Sequence, residues 1–239
     1  MKKKLIYIRT PKTSSTSLCH AFTLSKNKFY KAARCLKERP SVEEYVKIVE
    51  ENDIILHPPI RRLPWSSNAR QKFHILYLEE GKKQKNWIQF ALVRDPYTKF
   101  ISSVNHWLTK EALDLVLEND IPLLQGKSIL NNLDDKIKKE MPTGKYANNV
   151  FDQMLTQTSF LFNDNNSVCK VLKYEDREEL ENFLIKNEYE DIVEIMNKRG
   201  KKNTSYKHNP KPFELNQKII NYVNKFYSED FTNFGYTML

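Results

Sequence analysis

Lys12 stands just ahead of an unbroken run of hydroxyl residues, Thr13, Ser14, Ser15, Thr16 and Ser17. A short apolar run, Leu5-Ile-Tyr-Ile8, leads into it, and Leu18 and Phe22 follow at helical spacing. A strand, a tight turn and a helix start arranged in this way make an anion cradle. The first N–H groups of a helix have no partner within it, the helix dipole is positive there, and the lysine and hydroxyls add donors. A phosphate-like group is the expected occupant. A second anion site is expected at Arg94, which closes the strongest buried-strand signal in the chain, Trp87-Ile-Gln-Phe-Ala-Leu-Val93. A guanidinium at a strand end can fork onto a phosphate, and Ser102 in the next helix can add a hydroxyl donor. One lysine-type and one arginine-type site together suit a nucleotide with phosphates at two separate positions.

Strands and helices must carry these residues to their places. After the first strand and helix, Ser41 and Glu44 have the spacing of a capping box. Val42, Tyr45, Val46 and Val49 then form a helical apolar face. Asp53-Ile-Ile-Leu-His57 reads as a short strand stopped by Pro58-Pro59, and Phe73–Leu78 as another strand or an apolar loop edge. Asp95 is placed to cap a helix that begins at Pro96 and buries Phe100, Val104 and Leu108. Residues 109–162 read as helical, with breaks near Gly126, Pro142 and Gly144, so a helical insertion is expected over about 109–165. Val168–Tyr174 returns to strand, and Asp176 caps a helix burying Leu180, Phe183 and Leu184. A basic loop from Arg199 to Lys211 precedes a last helix with Leu215, Ile219, Val223 and Phe226. Strands separated by helices imply an α/β fold with a mostly parallel central sheet flanked by helices. Ligands of such sheets sit at the carboxyl ends of the strands. Lys12 and Arg94 both fall there.

The bulk properties set limits. A chain of 239 residues, 40% hydrophobic, suffices for a single well-buried domain spanning 1–239. A net charge of +9 favours an anionic partner. The lysines are scattered, with no dense basic stripe or nucleic-acid-binding module, so nucleic acid is not the expected partner. Three cysteines, Cys19, Cys35 and Cys169, are odd in number and far apart, which suggests neither a disulfide framework nor a zinc site. The apolar run behind Lys2-Lys-Lys4 is too short for a signal peptide or a membrane span, and a cytoplasmic location is expected.

Pro11-Lys-Thr-Ser-Ser-Thr-Ser17 resembles the 5′-phosphosulfate loop of sulfotransferases that use 3′-phosphoadenosine-5′-phosphosulfate (PAPS). Arg94-Asp-Pro-Tyr-Thr-Lys-Phe-Ile-Ser102 resembles their 3′-phosphate motif, an arginine followed eight positions later by a serine. The two motifs occur in the family's usual order. Tyr174-Glu-Asp176 and Asp230-Phe-Thr-Asn-Phe-Gly-Tyr236 are similar to segments of the carbohydrate sulfotransferase branch. The family often has glycine where Ser14 stands, so this loop does without that residue's freedom to adopt positive φ. The resemblance implies a P-loop NTPase-like sulfotransferase fold, PAPS as co-substrate, and sulfuryl transfer to an acceptor hydroxyl, most naturally that of a carbohydrate. Residues 12–17, Arg94 and Ser102 would bind the nucleotide, and Lys12 would neutralise charge on the leaving oxygen. The family's base often follows the second strand, which selects His57, with His74 and Glu79 behind it. Lys201, Lys202, Ser205 and Lys207 stand where related enzymes fold a basic segment over the 3′-phosphate. No metal is implied. A sulfuryl group carries less charge than a phosphoryl group, whose transfer normally draws on carboxylate-held magnesium.

Two other functions are open to such a chain. A P-loop kinase or NTPase would need Gly-x-x-x-x-Gly-Lys-[Ser/Thr], whereas here the lysine precedes the hydroxyls and no glycine is near. A non-catalytic nucleic-acid-binding protein would need the basic stripe that is missing.

Overall fold

The computed structural model describes residues 2–10, 12–13, 15–31, 41–57, 79–123, 133–141, 153–163, 166–167, 169–199 and 212–239. They form two compact units, Met1–Val93 with Phe160–Lys202 and Arg94–Ser159 with Asn203–Leu239.

The first unit is built on a five-stranded sheet. Its strands are β1 (Lys4–Ile8), β2 (Phe29–Lys31), β3 (Ile54–Leu56), β4 (Trp87–Val93) and β7 (Lys170–Lys173), in the order β2-β3-β1-β4-β7. Every pairing in it is parallel, with Tyr7 opposite Leu56 on one side and opposite Phe90 on the other. The short antiparallel pair β5 (Phe162–Asn163) and β6 (Asn166–Ser167) stands apart. β1 and β4 are almost continuously apolar, as strands covered on both faces must be.

Alternation along β1 sends Leu5 and Tyr7 to one face and Ile6 to the other. On the Tyr7 face pack α1 (Ser15–Leu24), α7 (Arg177–Lys186) and α8 (Glu190–Arg199), through Leu18, Phe22, Leu180, Phe183, Leu184 and Ile192. Ring contacts join Tyr7 to Phe22 at 5.9 Å, Tyr7 to Phe90 at 5.1 Å and Phe90 to Phe183 at 4.9 Å. On the Ile6 face α2 (Val42–Glu51) contributes Tyr45 and Val49. The capping box at its start is present, with Glu44 N–H donating to Ser41 Oγ and Ser41 N–H to the Glu44 carboxylate.

The second unit is helical: α3 (Pro96–Trp107), α4 (Lys110–Glu118), α5 (Asp135–Glu140), α9 (Gln217–Phe226) and α10 (Ser228–Phe234). Asp95 caps α3 through Thr98 N–H, with Pro96 in the first turn. Phe100, Val104 and Leu108 pack with Ala112, Leu113, Val116, Ile219, Val223 and Phe231. Thr158 begins the short α6 (Thr158–Leu161).

Several local expectations need correction. The stretch from residue 109 breaks sooner than its apolar pattern suggests, because Asp120 turns the chain out of α4 at φ 49°. Aspartate tolerates that left-handed conformation better than most residues. Leu215 lies ahead of α9 and is 42% exposed rather than on its buried face. β7 starts at Lys170, later than the apolar run. The Phe73–Leu78 segment lies outside the described residues.

Lys99 is the least expected core residue. It is fully buried, its ammonium donating to Leu155 O at 2.7 Å and Gln153 O at 3.4 Å and lying 5.3 Å from the centre of the Tyr227 ring. Burial pushes its pKa down from 10.5 to about 8, the charge of Asp230 acting the other way. The unfolded chain therefore holds more protons than the folded one above about pH 8, and folding stability gains as pH rises through that window. Urea midpoints at pH 7.5 and 9.5 should show a gain on the order of 2 kcal/mol in the wild type relative to Lys99→Met. Equal slopes in the two proteins would refute the assignment.

Candidate active site

The chain leaves three neighbouring strands at their carboxyl ends through Lys12, His57 and Arg94 in turn. β1 and β4 lie side by side at the point where the strand order reverses, the place where open parallel sheets hold their ligands. Lys12 follows one of these strands and Arg94 the other.

The loop after β1 is tied to the sheet from within. Thr10 and Thr13 are fully buried, and Thr10 Oγ1 donates to Leu92 O of β4 at 2.5 Å. Thr13 Oγ1 lies 2.9 Å from Thr10 Oγ1 and 3.0 Å from Thr10 O. The Thr13 hydroxyl thus braces the loop. Between these threonines the chain passes through Lys12 at φ 63°, a left-handed conformation that costs a residue with a Cβ about 1–2 kcal/mol. Ser15 opens α1, Thr16 follows in its first turn, and Ser17 is exposed. From Arg9 to Ser17 the segment has two cations and no carboxylate. Together with a ten-residue helix pointing its N-terminus at the loop, that donor set fits an anionic sulfate or phosphate group.

His57 is one residue beyond β3, with its N–H donating to Tyr7 O at 2.9 Å. It is 2% exposed, and its Nδ1 lies 3.1 Å from Tyr45 Oη, the two rings meeting edge to face at 5.8 Å. Tyr45 comes from the buried face of α2, so that helix supplies the ring and the hydroxyl that hold the imidazole.

Arg94 is half-buried. Its Nε donates to Thr98 Oγ1 at 3.1 Å, and Thr98 Oγ1 donates in turn to Asp95 O. Thr98 and Ser102 are four apart on α3, hence on one face of that helix, so Arg94, Thr98 and Ser102 form a single polar stripe. Ser102 is half-buried. Its neighbour Ser103 points the other way, buried against Lys99 O and Gln153 O. The peptide groups of Arg94 are also engaged. Arg94 N–H donates to Gln157 Oε1 at 2.7 Å, and Gln157 Nε2 donates to Arg94 O at 2.8 Å.

Ser14, His74, Lys201, Lys202, Ser205 and Lys207 lie outside the described residues. Glu79 is exposed on a helical segment. Sequence reading missed Thr10, Tyr45, Thr98 and Gln157. Of these, Thr98 was within reach, since a threonine midway between Arg94 and Ser102 is one helical turn from each.

Among the described residues no helix is long and apolar enough to cross a membrane. A family model described as "Sulfotransferase family" matches residues 1–167. A search of curated proteins finds no match.

Proposed function

Since the chain belongs to the sulfotransferase family, we propose that it carries a sulfuryl group from 3′-phosphoadenosine-5′-phosphosulfate to a carbohydrate hydroxyl. The observation that carries this reading is the Arg94–Thr98–Ser102 stripe, an arginine with a fixed main chain at the end of the strand next to the Lys12 strand. An arginine so held suits a second phosphate set apart from the first, which the 3′-phosphate of the donor provides and ATP lacks.

In this reading the α1 N-terminus, Lys12 and the hydroxyls from Ser14 to Ser17 bind the 5′-phosphosulfate, and Arg94 and Ser102 bind the 3′-phosphate. Thr13, its hydroxyl buried against Thr10, shapes the loop from within rather than touching the ligand. Lys201, Lys202 and Ser205 add to the nucleotide's binding. His57 takes the proton of the acceptor hydroxyl as its oxygen bonds to sulfur and the sulfur–oxygen bond to the nucleotide breaks. That task requires the tautomer in which Nδ1–H donates to Tyr45 Oη, which puts the lone pair on Nε2. Lys12 neutralises the charge that gathers on the departing phosphate oxygen. The net positive charge of the chain agrees with an acidic glycan as acceptor.

Calorimetric titration without magnesium tests the donor. Adenosine 3′,5′-bisphosphate should bind and ATP should bind more weakly, with Arg94→Ala abolishing the difference. Binding of ATP in preference to the bisphosphate would overturn the reading. A panel of oligosaccharides incubated with labelled PAPS then identifies the acceptor.

A further inference from the structure

We propose that Gln157 and Asp230 are positioning residues for Arg94: a buried carboxylate near the end of the chain holds an amide that in turn holds the arginine's peptide groups. The proposal rests on the reading of Arg94 as the 3′-phosphate arginine.

Gln157 is fully buried, and its side chain makes a two-point contact with the N–H and C=O of Arg94. A primary amide offers a donor and an acceptor side by side, as a peptide edge does. For this one residue Gln157 therefore supplies the pairing that a neighbouring strand supplies along its length.

Gln157 is held in turn by Asp230, whose side chain is also fully buried. Asp230 Oδ2 accepts from Gln157 N–H at 2.9 Å and lies 3.4 Å from Gln157 Nε2. Its Oδ1 accepts from Thr158 N–H at 2.8 Å and Thr158 Oγ1 at 2.9 Å. Burying an ionised carboxylate is costly unless donors surround it, and here donors meet both oxygens. The strap carrying Gln157 is pinned along its length. Ser103 Oγ donates to Gln153 O at 3.2 Å, Tyr227 Oη to Met154 O at 2.5 Å and Lys99 Nζ to Leu155 O at 2.7 Å.

The network ends on the main chain of a residue with a proposed ligand-binding role, which distinguishes it from a purely structural buried polar cluster. With its peptide groups fixed by Gln157 and its Nε by Thr98, the Arg94 guanidinium has few orientations left. Asp230 also heads the Asp230–Tyr236 segment, giving part of that motif a physical task. Phe231 and Phe234 of the same segment are buried, and Gly235 closes α10 at φ 62°, which requires glycine's freedom.

The test compares affinities of the full chain for adenosine 3′,5′-bisphosphate and adenosine 5′-monophosphate. Their ratio isolates the contribution of the 3′-phosphate, and a loss of general stability does not change it. Arg94→Ala should bring the ratio close to one. Gln157→Met and Asp230→Asn should each lower it about tenfold, with binding of the monophosphate retained. Asp230→Asn keeps the size but sets an amide N–H₂ against N–H and O–H donors. If Asp230→Asn does not fold, Gln157→Met decides alone. A full ratio in Gln157→Met beside a collapsed one in Arg94→Ala would overturn the positioning role and leave Arg94 in place. A ratio that survives Arg94→Ala would remove both.

Discussion

A Lys12→Ala enzyme is expected to turn over about 10²–10³-fold more slowly than wild type, the usual loss when one donor to a developing negative charge is removed. Affinity for adenosine 3′,5′-bisphosphate should fall less than kcat, because α1's N-terminus and Arg94 remain. The left-handed backbone at Lys12 makes a sharper comparison possible. Alanine retains the Cβ and its strain, whereas Lys12→Gly relieves about 1–2 kcal/mol of it without supplying an ammonium. If charge is what counts, both variants should be equally slow in a labelled-sulfate transfer assay, although their melting temperatures differ. A Lys12→Gly enzyme with nearly wild-type kcat would mean that the loop's shape matters and its cation does not.

His57→Ala should lower kcat by about 10²–10⁴, the range ascribed to a positioned general base. Nucleotide affinity should hardly change, since the imidazole has no proposed contact with the donor. Tyr45→Phe removes the hydroxyl beside Nδ1 and preserves the ring that packs edge to face on the imidazole and lies 6.3 Å from Trp87. Its kcat should drop by less than that of His57→Ala, through loss of the tautomer's anchor rather than of the base. A His57→Ala enzyme with full turnover would exclude the residue as base and direct attention to His74 and Glu79.

The parts of this molecule that could be read from sequence are those whose causes are local. β1 and β4 announce themselves as unbroken apolar runs, and α2, α3 and α7 by the caps Ser41, Asp95 and Asp176. Lys12 and Arg94 stand out because each lies shortly past the end of an apolar strand run, and His57 because the resemblance places a base after the second strand. β2 was missed, since three residues, Phe29-Tyr-Lys31, are too few to show a period. α8 was missed as well, its Ile192 and Val193 lying among acidic and basic neighbours. α10 escaped because Tyr227, which precedes it, supplies no side-chain cap. The supporting residues of the site were hidden by sequence distance. Arg94 and Gln157 are 63 residues apart and Gln157 and Asp230 73, and no periodicity connects positions so remote. Only the fold brings them together.

The sheet order has a further consequence, for the chain as it emerges from the ribosome. β1 is made before the other strands of its sheet, yet it lies at the centre of that sheet, and its neighbour β4 follows only at Trp87–Val93. β4 in turn lacks its second neighbour until Lys170–Lys173 has been translated. At about 5–20 residues per second, the nascent polypeptide spends many seconds with Phe90 and Leu92 uncovered and a strand edge open. The stretch matched by the family model stops at residue 167, short of β7, α7 and α8. A polypeptide released there would keep the Lys12 loop and the Arg94 segment but could not complete its sheet, and it should accumulate as a chaperone-bound or aggregated product.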